Sequence, residues 1–274
     1  FGQTLIELKE LDYALNLFHE IMSMTENNIS IEKCVFQVGK IYELKSLQST
    51  NILPISGFFR GNPFFSSRFL RIIDSSMALG KAIEIYDSLI ITNNSPQAKF
   101  RLAELQFRVF GDLDRADLLY REAMDGFKRQ NDITNCILRI ADVQKARGDL
   151  AAAVEILIQE NHRMSGRDKI RLDIAVGQLM MYGGELDSLN SHIKDVMDWL
   201  KSTDGEFNDL LDVISLNLAF HEEREHYTEF GAAQLLLQQN KRSEALNILQ
   251  TLTEIENPKQ EFTYISSSNR NSDS

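Results

Sequence analysis

The chain has 274 residues, of which 43% are hydrophobic and 25% charged, with a formal net charge of −11 and only 4 prolines. That length holds one solenoid or about two globular domains, and few prolines suit long helices. The acidic balance argues against general nucleic-acid binding, because phosphates require a basic face, and no apolar run reaches the roughly 18 residues of a membrane span.

A helical pattern is already under way at Phe1, which marks the chain as a fragment or processed product; any signal peptide or anchor would then lie upstream. Lys9-Glu10-Leu11-Asp12-Tyr13-Ala14 reads as a turn entering the second helix of a hairpin. Between 46 and 62, Pro54, Gly57 and Gly61 erode a helix into a loop around Phe58 and Phe59. Ala82 to Tyr86 resumes the helical pattern, and Ser95-Pro96 supplies a cap residue followed by proline at the first helical position. Phe100, Ala103, Phe107 and Phe110 then form a core stripe, Gly111-Asp112 ends the helix, and Ala116, Tyr120, Ala123 and Phe127 line the next one. Alternation of small and large residues lets two such helices cross closely, with Phe107 and Tyr120 filling the gaps beside the alanines.

The plan recurs with Ile137, Ile140, Ala141 and Val143, a turn at Gly148-Asp149-Leu150, then Ala153, Val154 and Leu157. A further copy has Ile174, Ala175, Gly177 and Met180, a turn at Gly183-Gly184, and Leu186, Leu189, Ile193, Val196 and Trp199. The last has Ala232, Ala233 and Leu236, a turn at Asn240-Lys241, and Ala245, Ile248, Leu249 and Leu252. The 56 residues from Leu189 to Ala245 exceed one period and call for an additional helix over about 207–223. The serine-rich tail from 257 lacks periodicity and reads as disordered. Ala82 and Ala116 are 34 residues apart, as are Tyr86 and Tyr120; Ala116 and Ala153 are 37 apart. A fixed spacing in this range signals one supersecondary unit stacked repeatedly, which builds an extended surface rather than a catalytic cleft.

Gly111, Asp112, Ala116, Tyr120 and Ala123, with Ala103 and Phe107 before them, resemble the tetratricopeptide repeat signature. The run from Ala82 through Pro96 to Leu105 is similar to the bacterial variety, which includes periplasmic coordinators and outer-membrane assembly proteins. The resemblance covers about 1–256. It implies an all-α, right-handed superhelix of about six to seven hairpins that binds a peptide or protein partner, with a periplasmic or envelope location preferred and a cytoplasmic one open. Lys128 stands where the family often has proline, and Leu189 replaces the expected alanine, so the third copy is expected to pack more loosely or at another angle.

No catalytic constellation stands out. The histidines of the run 221–226 are five apart, so on a helix they diverge by about 140° rather than sharing a metal-binding face. Gly80-Lys81 lacks the rest of a phosphate loop, and Cys34 and Cys136 sit in apolar helical stretches where buried small hydrophobes are expected. The sequence therefore points to a non-enzymatic scaffold without metal or cofactor. The alternatives are a structural spacer, or a superhelical accessory domain of a larger envelope protein carrying a catalytic part elsewhere.

Charge is polarised along the chain: residues 97–147 hold ten basic and eight acidic residues, and 185–225 hold three basic and eleven acidic. In tetratricopeptide proteins the first helix of each hairpin lines the concave groove. On that basis Arg71, Arg101, Arg108, Lys145, Arg171 and Gln178 are the candidate groove residues, set to hold an acidic or C-terminal peptide through charge-assisted hydrogen bonds. The alternative is that these arginines are ordinary solvated surface, their stems lying on apolar neighbours.

Overall fold

The computed structural model describes residues 1–46, 75–198, 200 and 223–253, with scattered positions between 207 and 218. The eroded stretch 46–62 apart from Ser46, Trp199, nearly all of the additional helix over 207–223 and the tail from 257 lie outside the described residues. Within them all regular structure is helical. The helices are α1 (Gly2–Glu7), α2 (Leu11–Met24), α3 (Asn28–Ser46), α4 (Ser75–Asn93), α5 (Pro96–Leu105, continued by a π turn over Gln106–Phe110) and α6 (Leu113–Gly126). They continue as α7 (Gln130–Arg147), α8 (Leu150–Asn161), α9 (Gly166–Tyr182), α10 (Leu186–Met197), α11 (Arg224–Gln238) and α12 (Arg242–Thr253). They form two compact units, the first ending at Phe127 and the second beginning at Lys128. In the first unit each helix from α1 to α6 packs on the next. In the second, α7 pairs with α8, α9 with α10 and α11 with α12, while α7, α9 and α11 also touch one another.

One local device closes hairpin after hairpin. The first helix ends at a residue with left-handed backbone: Lys9 (φ 63°), Gly111 (71°), Gly148 (83°), Gly184 (71°) and Asn240 (62°). This conformation satisfies the last carbonyls of a helix and is easiest for glycine. Two of the turns add an aspartate that caps the second helix. Asp112 accepts a hydrogen bond from the Arg115 amide at 3.0 Å, and Asp149 one from the Ala152 amide at 2.9 Å. The Gly-Asp dipeptide therefore ends one helix and starts the next.

Five residues after each of these left-handed positions comes Ala14, Ala116, Ala153, Leu189 or Ala245, and every one is fully buried. The sequence pattern expects the two helices of a hairpin to cross at this position. Leu189 occupies the same buried position as the alanines despite its larger side chain. The expected core stripe of α5 needs one correction: Ala103 and Phe107 are fully buried, but Phe110 is 52% exposed. The π turn alters the helical phase just there, and Gly111 ends the helix, so Phe110 is carried off the stripe.

A buried ladder of ion pairs as the candidate functional site

Charged residues rarely enter a core without partners, because removing an ion from water costs several kcal/mol that only close pairing offsets. Yet Arg108 and Arg139 are 1% and 2% exposed, among the largest fully buried side chains of the protein. Both stand on first helices of hairpins, and each is paired with a buried acid of its own helix.

In the first unit, Arg101 of α5 reaches back to Glu43 of α3. Its Nε donates to Glu43 Oε2 at 3.1 Å, and its Nη2 forms a second, very short ion-paired hydrogen bond to Oε1. Tyr86 of α4 donates its hydroxyl to the same Oε2 at 2.9 Å. Burial works against the Arg101 charge, but Glu43 outweighs it and the guanidinium pKa is raised. Burial, then the Glu43 carboxylate, push the Tyr86 hydroxyl well above its ordinary value. One repeat later, Arg108 Nη1 donates to Glu104 Oε2 at 3.1 Å, while the Tyr120 hydroxyl of α6 donates to Glu104 Oε1 at 2.6 Å. Each of these carboxylates is thus held between an arginine and the tyrosine of a second helix.

In the second unit, Arg139 Nη1 donates to Asp142 Oδ2 at 2.9 Å, and Lys145 Nζ lies 2.6 Å from Asp142 Oδ1. Lys145 also donates to Gln178 Oε1 of α9 at 3.0 Å and sits 5.8 Å from the centre of the Tyr182 ring. Arg171 ties α9 to α7 through Asn131 Oδ1 at 2.9 Å and Asn135 Oδ1 at 2.6 Å, with Asp168 of its own helix at 3.3 Å.

The two clusters on α5 and α7 share one pattern. Arg139, Asp142 and Lys145 lie nine, six and three residues before Gly148; Arg101, Glu104 and Arg108 lie ten, seven and three before Gly111. The π turn over Gln106–Phe110 absorbs the extra residue, leaving basic, acidic and basic side chains in corresponding places. Gln178 and Gln234 stand six before Gly184 and Asn240, at the position of Asp142, and both are buried.

The groove residues inferred from sequence therefore have definite places. Arg71 lies outside the described residues. Arg101, Arg108, Lys145, Arg171 and Gln178 do line first helices, but none is the ordinary solvated surface of the alternative reading: their polar groups are engaged by acids and amides of their own unit. Glu43, Glu104 and Asp142 were missed. Their signal is an acid three residues after a base, in Lys40/Glu43, Arg101/Glu104 and Arg139/Asp142. Among the described residues no group of three or more His, Cys, Asp or Glu side chains is placed to hold a metal ion. His226 Nδ1 instead meets Glu223 Oε2 at 2.5 Å, and Cys34 and Cys136 are both buried. His221 lies outside the described residues.

No protein-family model matches the chain, and no curated protein matches it significantly.

Proposed function

We propose that this chain is a non-catalytic protein-interaction scaffold, a right-handed superhelix of tetratricopeptide-like hairpins that takes a peptide or protein segment along its first helices. The observation that carries the reading is the shared register of five hairpins. A left-handed residue is followed five positions later by a fully buried crossing residue in each of them. One unit reused in this way supports an extended recognition surface. Arg101, Arg108, Lys145, Arg171 and Gln178 then act from below, holding neighbouring first helices in register, while contact with the partner falls on accessible groups beside them.

A second reading is favoured by one feature. Every residue of α7 from Cys136 to Lys145 is buried, which is the signature of a helix serving as core. On this reading the second unit is a structural spacer or accessory domain, and recognition belongs to the first unit.

Cross-linking of the intact chain in a lysate of its source, followed by mass spectrometry, tests the scaffold. A specific partner cross-linked through Lys33, Lys40 or other positions on α3 and α5 is expected. Cross-links confined to the second helices would sink the groove reading, and capture of nothing would leave the spacer.

A further inference from the structure

Most second helices show solvent little apolar surface. Among the described residues α6, α8, α10 and α12 each leave one large apolar side chain exposed, Leu118, Ile158, Met197 and Leu246, and α4 leaves Met77 and Ile91 at its opposite ends. On α2 there are three, Tyr13 (70%), Ile21 (36%) and Met24 (78%), with Leu17 half-buried among them. At 100° per residue these four fall within about 80° of arc, so they form one stripe along the helix. It is distinct from the face that α2 gives to its own core, where Leu11, Ala14 and Phe18 are buried. A contiguous apolar stripe bordered by polar groups, here Asn16 and Glu20, marks a surface that a partner covers. Helices that seat in a membrane surface carry lysines and arginines beside the apolar face, and α2 has neither.

The charges at the two ends of the stripe select the partner. Lys9 stands two residues before α2 and Glu26 two residues after it. Both are exposed, and neither side chain forms an ion pair or hydrogen bond among the described residues. A stripe that is positive at one end and negative at the other matches itself only when turned around. Parallel copies would set lysine against lysine, whereas antiparallel copies bring lysine to glutamate at both ends. We propose that α2 is a self-association surface, along which two copies of this chain pair antiparallel about a two-fold axis. Tyr13 of one copy then lies beside Met24 of the other, a favourable ring–sulfur contact. Leu17 and Ile21 of the two copies meet at the middle, and each Lys9 reaches the other copy's Glu26. Four apolar side chains from each copy make an interface of the small, transient kind, below about 1,200 Å² in total, so the dimer is weak and depends on concentration. The pairing stands apart from the scaffold reading, which uses first helices.

Analytical ultracentrifugation of the full chain over a wide concentration range tests the pairing. The weight-average mass is expected to rise from 31.3 kDa toward twice that value. Tyr13→Glu/Met24→Glu changes two exposed positions and should hold the chain at its monomer mass without lowering Tm. Lys9→Glu and Glu26→Lys should each weaken dimerisation, and an equimolar mixture of the two variants should restore it, because the mixed pair again sets opposite charges at both ends. A folding defect cannot produce that recovery. A parent that keeps its monomer mass throughout, a dimer indifferent to Tyr13→Glu/Met24→Glu, or a mixture no better than its two components overturns the proposal. A different protein held on α2 by a monomeric parent also overturns it and assigns the stripe to that protein.

Discussion

Tyr120 donates its hydroxyl to Glu104 at 2.6 Å across 16 residues, and Tyr86 does the same to Glu43 at 2.9 Å across 43. The two contacts are equivalent places in successive hairpins. The longer separation arises because a long segment is interposed between α3 and α4, where α5 and α6 are joined by a tight turn. The pairing of a first-helix acid with a second-helix tyrosine survives that interruption.

Removing either hydroxyl should therefore destabilise without unfolding. Tyr120→Phe leaves a buried carboxylate oxygen short of a donor and is expected to cost about 1–3 kcal/mol, read as a lower urea midpoint with an unchanged slope.

The double variant Arg101→Ala/Arg108→Ala should be far worse, because each change strands a buried acid, at about 3–5 kcal/mol per broken pair. A large fall in Tm is expected. Loss of partner binding by this variant would thus report loss of structure.

Alkaline pH should act through Tyr86. Its folded-state pKa is raised by burial and by Glu43, so the stability it contributes is complete below the unfolded value near 10 and is lost as pH rises above it. Tyr86→Phe should flatten that alkaline decline in pH-dependent chemical denaturation. An unchanged slope above about pH 10 would assign the decline to other groups.

The crossing positions should not be interchangeable despite their shared register. Ala116→Leu forces a large side chain into a fully packed contact and is expected to cost about 1–3 kcal/mol. Leu189→Ala should leave a cavity costing about 2–5 kcal/mol, although it restores the alanine of the other copies. Thermal melts of both variants decide the matter.

Lys9 holds a left-handed backbone that costs an ordinary L-residue about 1–2 kcal/mol. Lys9→Gly should recover part of this and raise Tm, whereas Gly148→Ala should lower it through backbone strain and crowding against Gln239.

The sequence made the hairpins legible because their punctuation is local. Gly111-Asp112 and Gly148-Asp149 each end one helix and cap the next, and Ala116 and Ala153 repeat at a countable distance. The crowding of α11 on α9 was not legible: Gly231 sits against the Met181 carbonyl, where a side chain would collide. Nothing near Gly231 in the chain announces that approach. The ladder was half legible. Arg101, Arg108 and Lys145 could be placed on first helices by register, but a charge on a helix normally suggests solvent. Only their acceptors, some of them on other helices, show where the charge goes.

The π turn of α5 makes the charged row tolerant of length. Between Arg101 and Gly111 the helix carries one residue more than its counterpart between Arg139 and Gly148, yet Arg108 still meets Glu104. A regular α-helix with that insertion would have rotated Arg101 and Glu104 by about 100° relative to the turn. The wider turn works as a shim, and a chain lacking one residue between Gln106 and Phe110 should close into an ordinary helix with the same pairs intact. Length variation in such hairpins can then accumulate where the backbone bends, while the buried charges hold the register of the core.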